Sequence, residues 1–418
     1  MNTGTPEASL QTPLRKSAFL AVLGPGLVVM LADTEVGSVI TAAQSGALWG
    51  YRLLLLQIVL IPLLYLVQEL TVRLGIFTGK GHGELIRETL GPFWAYVSVT
   101  GLSVASAGAL LSEFSGLAGV SELYGLPRFV GVLLGAAALM TIVVTGSYRR
   151  VERIALILGL FELVFFGIAW ASHPDPAAMA AGLGQVPFAD RGYLLLVAAN
   201  IGAVIMPWMV FYQQSAVADK GLRPEDYRHA RWDTAIGSLI TQMVMAAVLV
   251  ATAATIGSGK TSVSLDTVQQ LSEAITPFLG DFWGKTVFSL GIVGAGMVAA
   301  IVATLATAWG WGEVTGFRHS LEYHPREAPW FYGTYAAVLL GGTLAVVFIP
   351  DLVSLNIGVE VMNALLLPLV IGFLIVLGVR ALPEGHRLQG GYLWVVAVVA
   401  AVSSGLGIYS AITSLTGL

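Results

Sequence analysis

The sequence predicts an all-α polytopic membrane protein with about 11 transmembrane helices. Composition is the first observation behind this. Of 418 residues, 56% are apolar and only 11% charged, against about 25% charged in an ordinary soluble domain; mean hydropathy is +0.80. The second is that apolar runs of roughly the 20 residues needed to cross a bilayer recur along the whole chain. They lie near 17–46, 52–75, 93–123, 128–147, 151–172, 192–217, 234–256, 284–314, 329–349, 353–380 and 391–415. The third is charge placement. With the amino end in the cytoplasm, sixteen of the 21 Lys and Arg side chains fall inside, the asymmetry that sets membrane orientation.

These properties also exclude much. A net charge of −4 offers no basic face for nucleic acid, and the absence of Cys removes disulfides, thiolate metal sites and Cys nucleophiles. There is no phosphate-cradling glycine loop, dinucleotide fingerprint or zinc-hydrolase His pair, so we expect no enzyme and no cofactor. A cleaved leader is not expected, because the polar start 1–16 runs into a long span without a small-residue cleavage site.

Taken in order, span one is almost wholly apolar over Ser17–Ala32, is interrupted by Asp33-Thr34-Glu35-Val36-Gly37-Ser38, and resumes at Val39. In span two, Glu69 precedes Arg73 by four residues, the spacing of a helical ion pair. Spans three and five carry Glu113 and Glu162, each read either as a second ion or proton position or as helix packing. Glu122 and Glu313 fall near span ends, where water is available. Span six runs from Asn200 through Gly202 into Pro207 and restarts at Trp208. Before span seven, Tyr227–Asp233 reads as a solvated cytoplasmic anchor. Span ten holds Glu360 and, three residues on along the same face, Asn363.

Two carboxylates in mid-span are costly unless they meet water, a cation or a partner, and all six His residues lie in loops or at span ends. Pro207 removes a backbone donor and frees a carbonyl near Ala203; Gly37 and Gly202 ease the unwinding. Matching breaks in spans one and six point to two five-helix repeats of inverted topology with a substrate held between them, a LeuT-like 5+5 layout. Residues 1–16 then form a cytoplasmic tail and 17–418 one transporter domain, with repeat one about 17–172, repeat two about 192–380 and an extra helix about 391–415.

Several segments resemble the Nramp family of divalent-metal transporters: Gly24-Pro25-Gly26, Gln44-Ser45-Gly46-Ala47-Leu48-Trp49-Gly50-Tyr51, Arg73-Leu74-Gly75-Ile76-Phe77-Thr78-Gly79-Lys80 and Gly202-Ala203-Val204-Ile205-Met206-Pro207. Where that family carries Asp-Pro-Gly-Asn, this chain has Glu35-Val36-Gly37-Ser38. The family's Met-Pro-His-Asn reads Met206-Pro207-Trp208-Met209, and a family position that is often Gln aligns with Glu360. Span-three acids of the family's proton route align with Ala109 and Ser112, one residue short of Glu113. These departures resemble the Nramp-related magnesium-transporter branch.

The resemblance puts Glu35 at the metal position. Asp33 joins it or caps the second half-helix, and Thr34 and Ser38 line the site or bond loosened backbone. The Ala203 carbonyl, the Met206 thioether, Glu360 and Asn363 complete the candidate set, with Gln44 orienting an ion's water shell or bonding another helix. Oxygen-rich donors suit a hard cation, and Mg²⁺ sheds its water reluctantly. The expectation is therefore Mg²⁺ uptake by alternating access of a partly hydrated ion without proton coupling, in the cell membrane with the carboxyl end outside. The alternatives are a proton-coupled Mn²⁺ or Fe²⁺ carrier and a sodium-coupled organic-solute transporter. The partners expected are the ion and the lipid bilayer, with no obligatory protein partner.

Overall fold

The computed structural model describes residues 24–145, 147–256, 265, 267–276 and 279–416, so the expected tail and the first residues of span one lie outside them. Among the described residues every regular element is a helix. Eight helical segments are long and apolar enough to cross a membrane, and a shorter apolar helix, Arg128–Val144, stands between two of them.

Span one consists of two half-helices, Pro25–Asp33 and Val36–Trp49. The break is Thr34–Glu35, with Glu35 in extended conformation. Gly37, expected to help unwinding, lies inside the second half-helix instead. Span six breaks at Ala203–Met206, between Arg191–Gly202 and Pro207–Asp219. Pro207 occupies the first turn of the second half, where a missing N–H costs nothing.

The other apolar runs fall on Leu54–Thr78, Pro92–Leu123, Arg128–Val144, Tyr148–Ala171, Tyr227–Thr255, Gly280–Thr315, Pro329–Val346, Leu352–Arg380 and Gly390–Thr416. Span five tightens into a 3₁₀ turn at Leu160–Leu163, which periodicity gave no sign of. Among the described residues the connections carry short helices at His82–Leu90, Pro176–Leu183 and Val268–Ile275.

Both halves of span one pack against span seven, and the second half also packs against span ten. The first half of span six lies along span ten, at a distance only glycine allows. A Cβ on Gly202 would sit 1.8 Å from the Glu360 carbonyl oxygen and 2.7 Å from the Ala364 nitrogen. This contact carries the break of span six to the level of Glu360.

Candidate functional site

The two breaks meet. Ser38 Oγ donates to the Ala203 carbonyl oxygen over 3.2 Å, so the carbonyl expected to be freed by Pro207 is turned toward span one. Around this junction five acids are at most 1% exposed: Asp33, Glu35, Glu113, Glu162 and Glu360. The Glu35 carboxylate lies against those of Glu113 and Glu360. A Cβ on Gly37 would stand 2.2 Å from Glu360 Oε1, 2.8 Å from Ser112 Oγ and 3.3 Å from Glu35 Oε1. Gly37 therefore serves close approach: its bare face lets Glu360 and Glu35 share one space.

Glu113 reaches the break from span three, where its Oε2 accepts the Val36 N–H at 3.2 Å. It thereby holds the buried amino end of the second half-helix, a position that favours negative charge. Asn363 Nδ2 donates to Glu360 Oε2 at 3.2 Å, leaving Oε1 without a partner. Both oxygens of Asp33, both of Glu35 and the Thr34 hydroxyl also lack hydrogen-bond partners. Ion pairs among the described residues include Glu69–Arg73, Glu69–Arg231, Lys80–Glu88, Glu122–Arg128 and Glu152–Lys220, toward the span ends. Among the described residues no three His, Asp or Glu side chains close into a ready-made metal cage.

Met206 is fully buried at the start of the second half of span six. Trp208, aligned with the family's imidazole, is buried too, and its Nε1 has no partner. Gln44 stands apart, nine residues beyond Glu35 and so about 13 Å along the helix. Its Nε2 donates to the Leu265 carbonyl at 2.5 Å and its Oε1 accepts the Leu265 N–H at 3.2 Å. Of its two readings, the structure takes neither the water shell nor another helix, since the amide is spent on a connecting segment.

The near end of span one is clamped. Asp233 accepts the N–H groups of Gly24 (3.3 Å) and Gly26 (2.9 Å), so within the expected solvated anchor Asp233 is buried and works as a helix cap. Beside it, Glu152 pairs with Lys220 at 2.8 Å. Tyr212, Trp309 and Phe331 form an aromatic cluster with centroids 5.5 and 6.4 Å apart. Glu313, expected near water, is buried and accepts from the Gly83 N–H and the Ser215 hydroxyl. Glu69 and Arg73 do pair, at 2.8 Å.

Glu113 and Glu162 are the residues that the candidate set omitted. A carboxylate in an apolar span without a basic neighbour was their signal, and it did not say which way either side chain turns.

A profile of the family described as natural resistance-associated macrophage protein-like, Nramp, matches residues 26–413. The chain belongs to the Nramp family. Similar Nramp relatives include the divalent metal cation transporter MntH of Yersinia pestis (strain Pestoides F), 30% identical over 313 residues, 70% of this chain and 73% of that one. MntH of Klebsiella pneumoniae (strain 342) is 28% identical over 358 residues, 81% and 83% of the two chains. Among solved structures, an Eremococcus coleocola manganese transporter superposes with TM-score 0.74 at 19% identity, covering 98% of this chain and 90% of its own. The nucleobase-cation-symport transporter Mhp1 gives 0.60 at 16% identity, covering 94% and 91%. The Nramp chain therefore has the LeuT-like fold and is a multi-pass membrane transporter of divalent metal cations.

Proposed function

We propose that the chain carries Mn²⁺ into the cell by alternating access, with protons moving alongside. The observation that carries this reading is the convergence of Glu35, Glu113 and Glu360 in a space sealed from solvent. Carboxylates in so dry a place carry charge only when a cation sits among them and are otherwise neutralised by protons, which suits a site that exchanges a dication for protons. Carboxylate, carbonyl, hydroxyl and one thioether suit Mn²⁺, and the similarity to a manganese transporter and to MntH points the same way. Glu35, Glu360, Ser38, the Ala203 carbonyl and Met206 are the ligands, and the ion keeps part of its water shell.

The expectation of an uncoupled ion rests on the missing mid-span His and on Ala109 and Ser112 standing where the family's acids are sought. Glu113 supplies a carboxylate from the same span, so coupling no longer lacks a residue. Mg²⁺ remains the second reading, favoured by Trp208 in place of an imidazole. With the amino end in the cytoplasm, the clamp at Gly24 and Gly26 closes the inner path, and release requires it to open. An inside-negative potential adds about 2.3 kcal/mol per charge per 100 mV to uptake.

Purified protein in liposomes with an internal pH reporter tests this. Mn²⁺ entry with lumenal acidification is expected, and Glu35→Gln is expected to lower uptake at least about tenfold, as loss of a metal-site group does. Metal entry without any pH change removes the coupling, and unchanged uptake in Glu35→Gln moves the site elsewhere.

A further inference from the structure

Glu162 has no part in the transport site just described, yet it is fully buried and neither of its oxygens has a hydrogen-bond partner. It sits in the 3₁₀ turn Leu160–Leu163, a local tightening of the kind found at functional positions within helices. Glycines bring this turn inward from two sides. A Cβ on Gly159 would stand 2.6 Å from Leu31 Cδ1 of span one, and one on Gly294 of span eight would stand 2.6 Å from the Leu158 carbonyl oxygen and 2.9 Å from Phe161 Cβ. Span five is thus pressed between spans one and eight at this level, and the Glu162 carboxylate comes up to the Thr34 hydroxyl and beside Asp33. Two carboxylates and a hydroxyl, five oxygen atoms in all, are then buried at one place with no partner outside the group.

We propose that Asp33, Thr34 and Glu162 form a second hard-cation position next to the transport site. An all-oxygen donor set selects a hard ion, and a buried carboxylate pair keeps its charge only with a cation beside it, otherwise taking up protons. The occupant is either the divalent ion one step further along its path or a monovalent cation carried with it. Asp33 connects the two positions, since Glu360 also lies within its electrostatic range. The inference rests on the transport-site reading only in calling this position the second.

Equilibrium binding to the full-length protein in nanodiscs, with radioactive manganese and radioactive sodium, tests it. The parent is expected to bind two cation equivalents per chain. Glu162→Gln is expected to bind one, with first-site affinity changed less than about threefold, well below the 1.4 kcal/mol of a tenfold shift. Glu162→Asp, which keeps the charge, is expected to retain the second equivalent. A second equivalent of manganese in sodium-free buffer identifies the divalent ion in transit; one that appears only as bound sodium identifies a co-carried ion. A parent that binds one equivalent under both conditions, or a Glu162→Gln protein that still binds two, overturns the proposal. Failure of the transport-site reading is separate, because it leaves Glu35→Gln fully active whatever Glu162 does.

Discussion

Ser38 and Ala203 are 165 positions apart in the chain and joined by one hydrogen bond, hydroxyl to carbonyl, at 3.2 Å. It is a direct polar link between the first turn of the second half of span one and the break of span six. Ser38→Ala is expected to leave the fold intact, since a neutral hydrogen bond contributes only about 1 kcal/mol net. Because the carbonyl it orients is a proposed ligand, the KM for Mn²⁺ should rise several-fold, by about the factor that 1 kcal/mol represents, with Ser38→Thr restoring it. Uptake kinetics in liposomes check this.

Gly202 is a test of packing. A methyl group there meets backbone atoms of span ten at 1.8 and 2.7 Å, and backbone cannot turn aside as a side chain does. Gly202→Ala should cost about 3 kcal/mol or more, the upper range of overpacking. Gly358→Ala, with nothing within 4 Å of its Cβ, should be neutral. Thermal unfolding of the two proteins in detergent measures the difference.

Asp233 tests the clamp. Hydrogen bonds to a charged acceptor are worth about 1.5–3 kcal/mol, so Asp233→Ala should raise the open fraction at that end by about tenfold or more. The chain has no Cys, which makes Ala32→Cys, buried beside the break, a background-free reporter. Its labelling by a polar thiol reagent should speed up accordingly in the Asp233→Ala background. An unaltered rate would mean that the cap does not hold the path closed.

His82, in the connection between spans two and three, gives a pH dependence. Burial pushes its imidazole down to about 4, against the pull of its 2.8 Å hydrogen bond with Gln214. Above about pH 6.5 the folded and unfolded chains both hold it neutral. Between about 6.5 and 4 only the unfolded chain takes up the proton, so stability falls as pH falls through that window, by up to about 1.4 kcal/mol per unit. Melting followed by tryptophan fluorescence should show this slope, and His82→Gln should flatten it.

Gln44 and Glu113 mark how far the residues alone can be read. Both are polar groups in apolar spans. Gln44 looked like a candidate ligand, yet its amide is consumed by Leu265, 221 positions away. Glu113 looked more like packing and faces the break. Helix period places each on a face without saying what lies opposite. Gly37 was misread for the same reason: a glycine is needed equally for unwinding and for close approach, and only the position of Glu360 distinguishes the two.

The membrane class, the order of spans, the two breaks and the Glu69–Arg73 pair follow from the chain itself. Each answers a local demand, since lipid requires runs of apolar side chains, proline removes a donor, and four residues make one helical turn. Which acids share a space was decided by tertiary packing. Glu35, Glu113 and Glu360 come from three different spans, and Glu162 from a fourth, brought together by glycine-lined helix contacts between residues far apart in sequence.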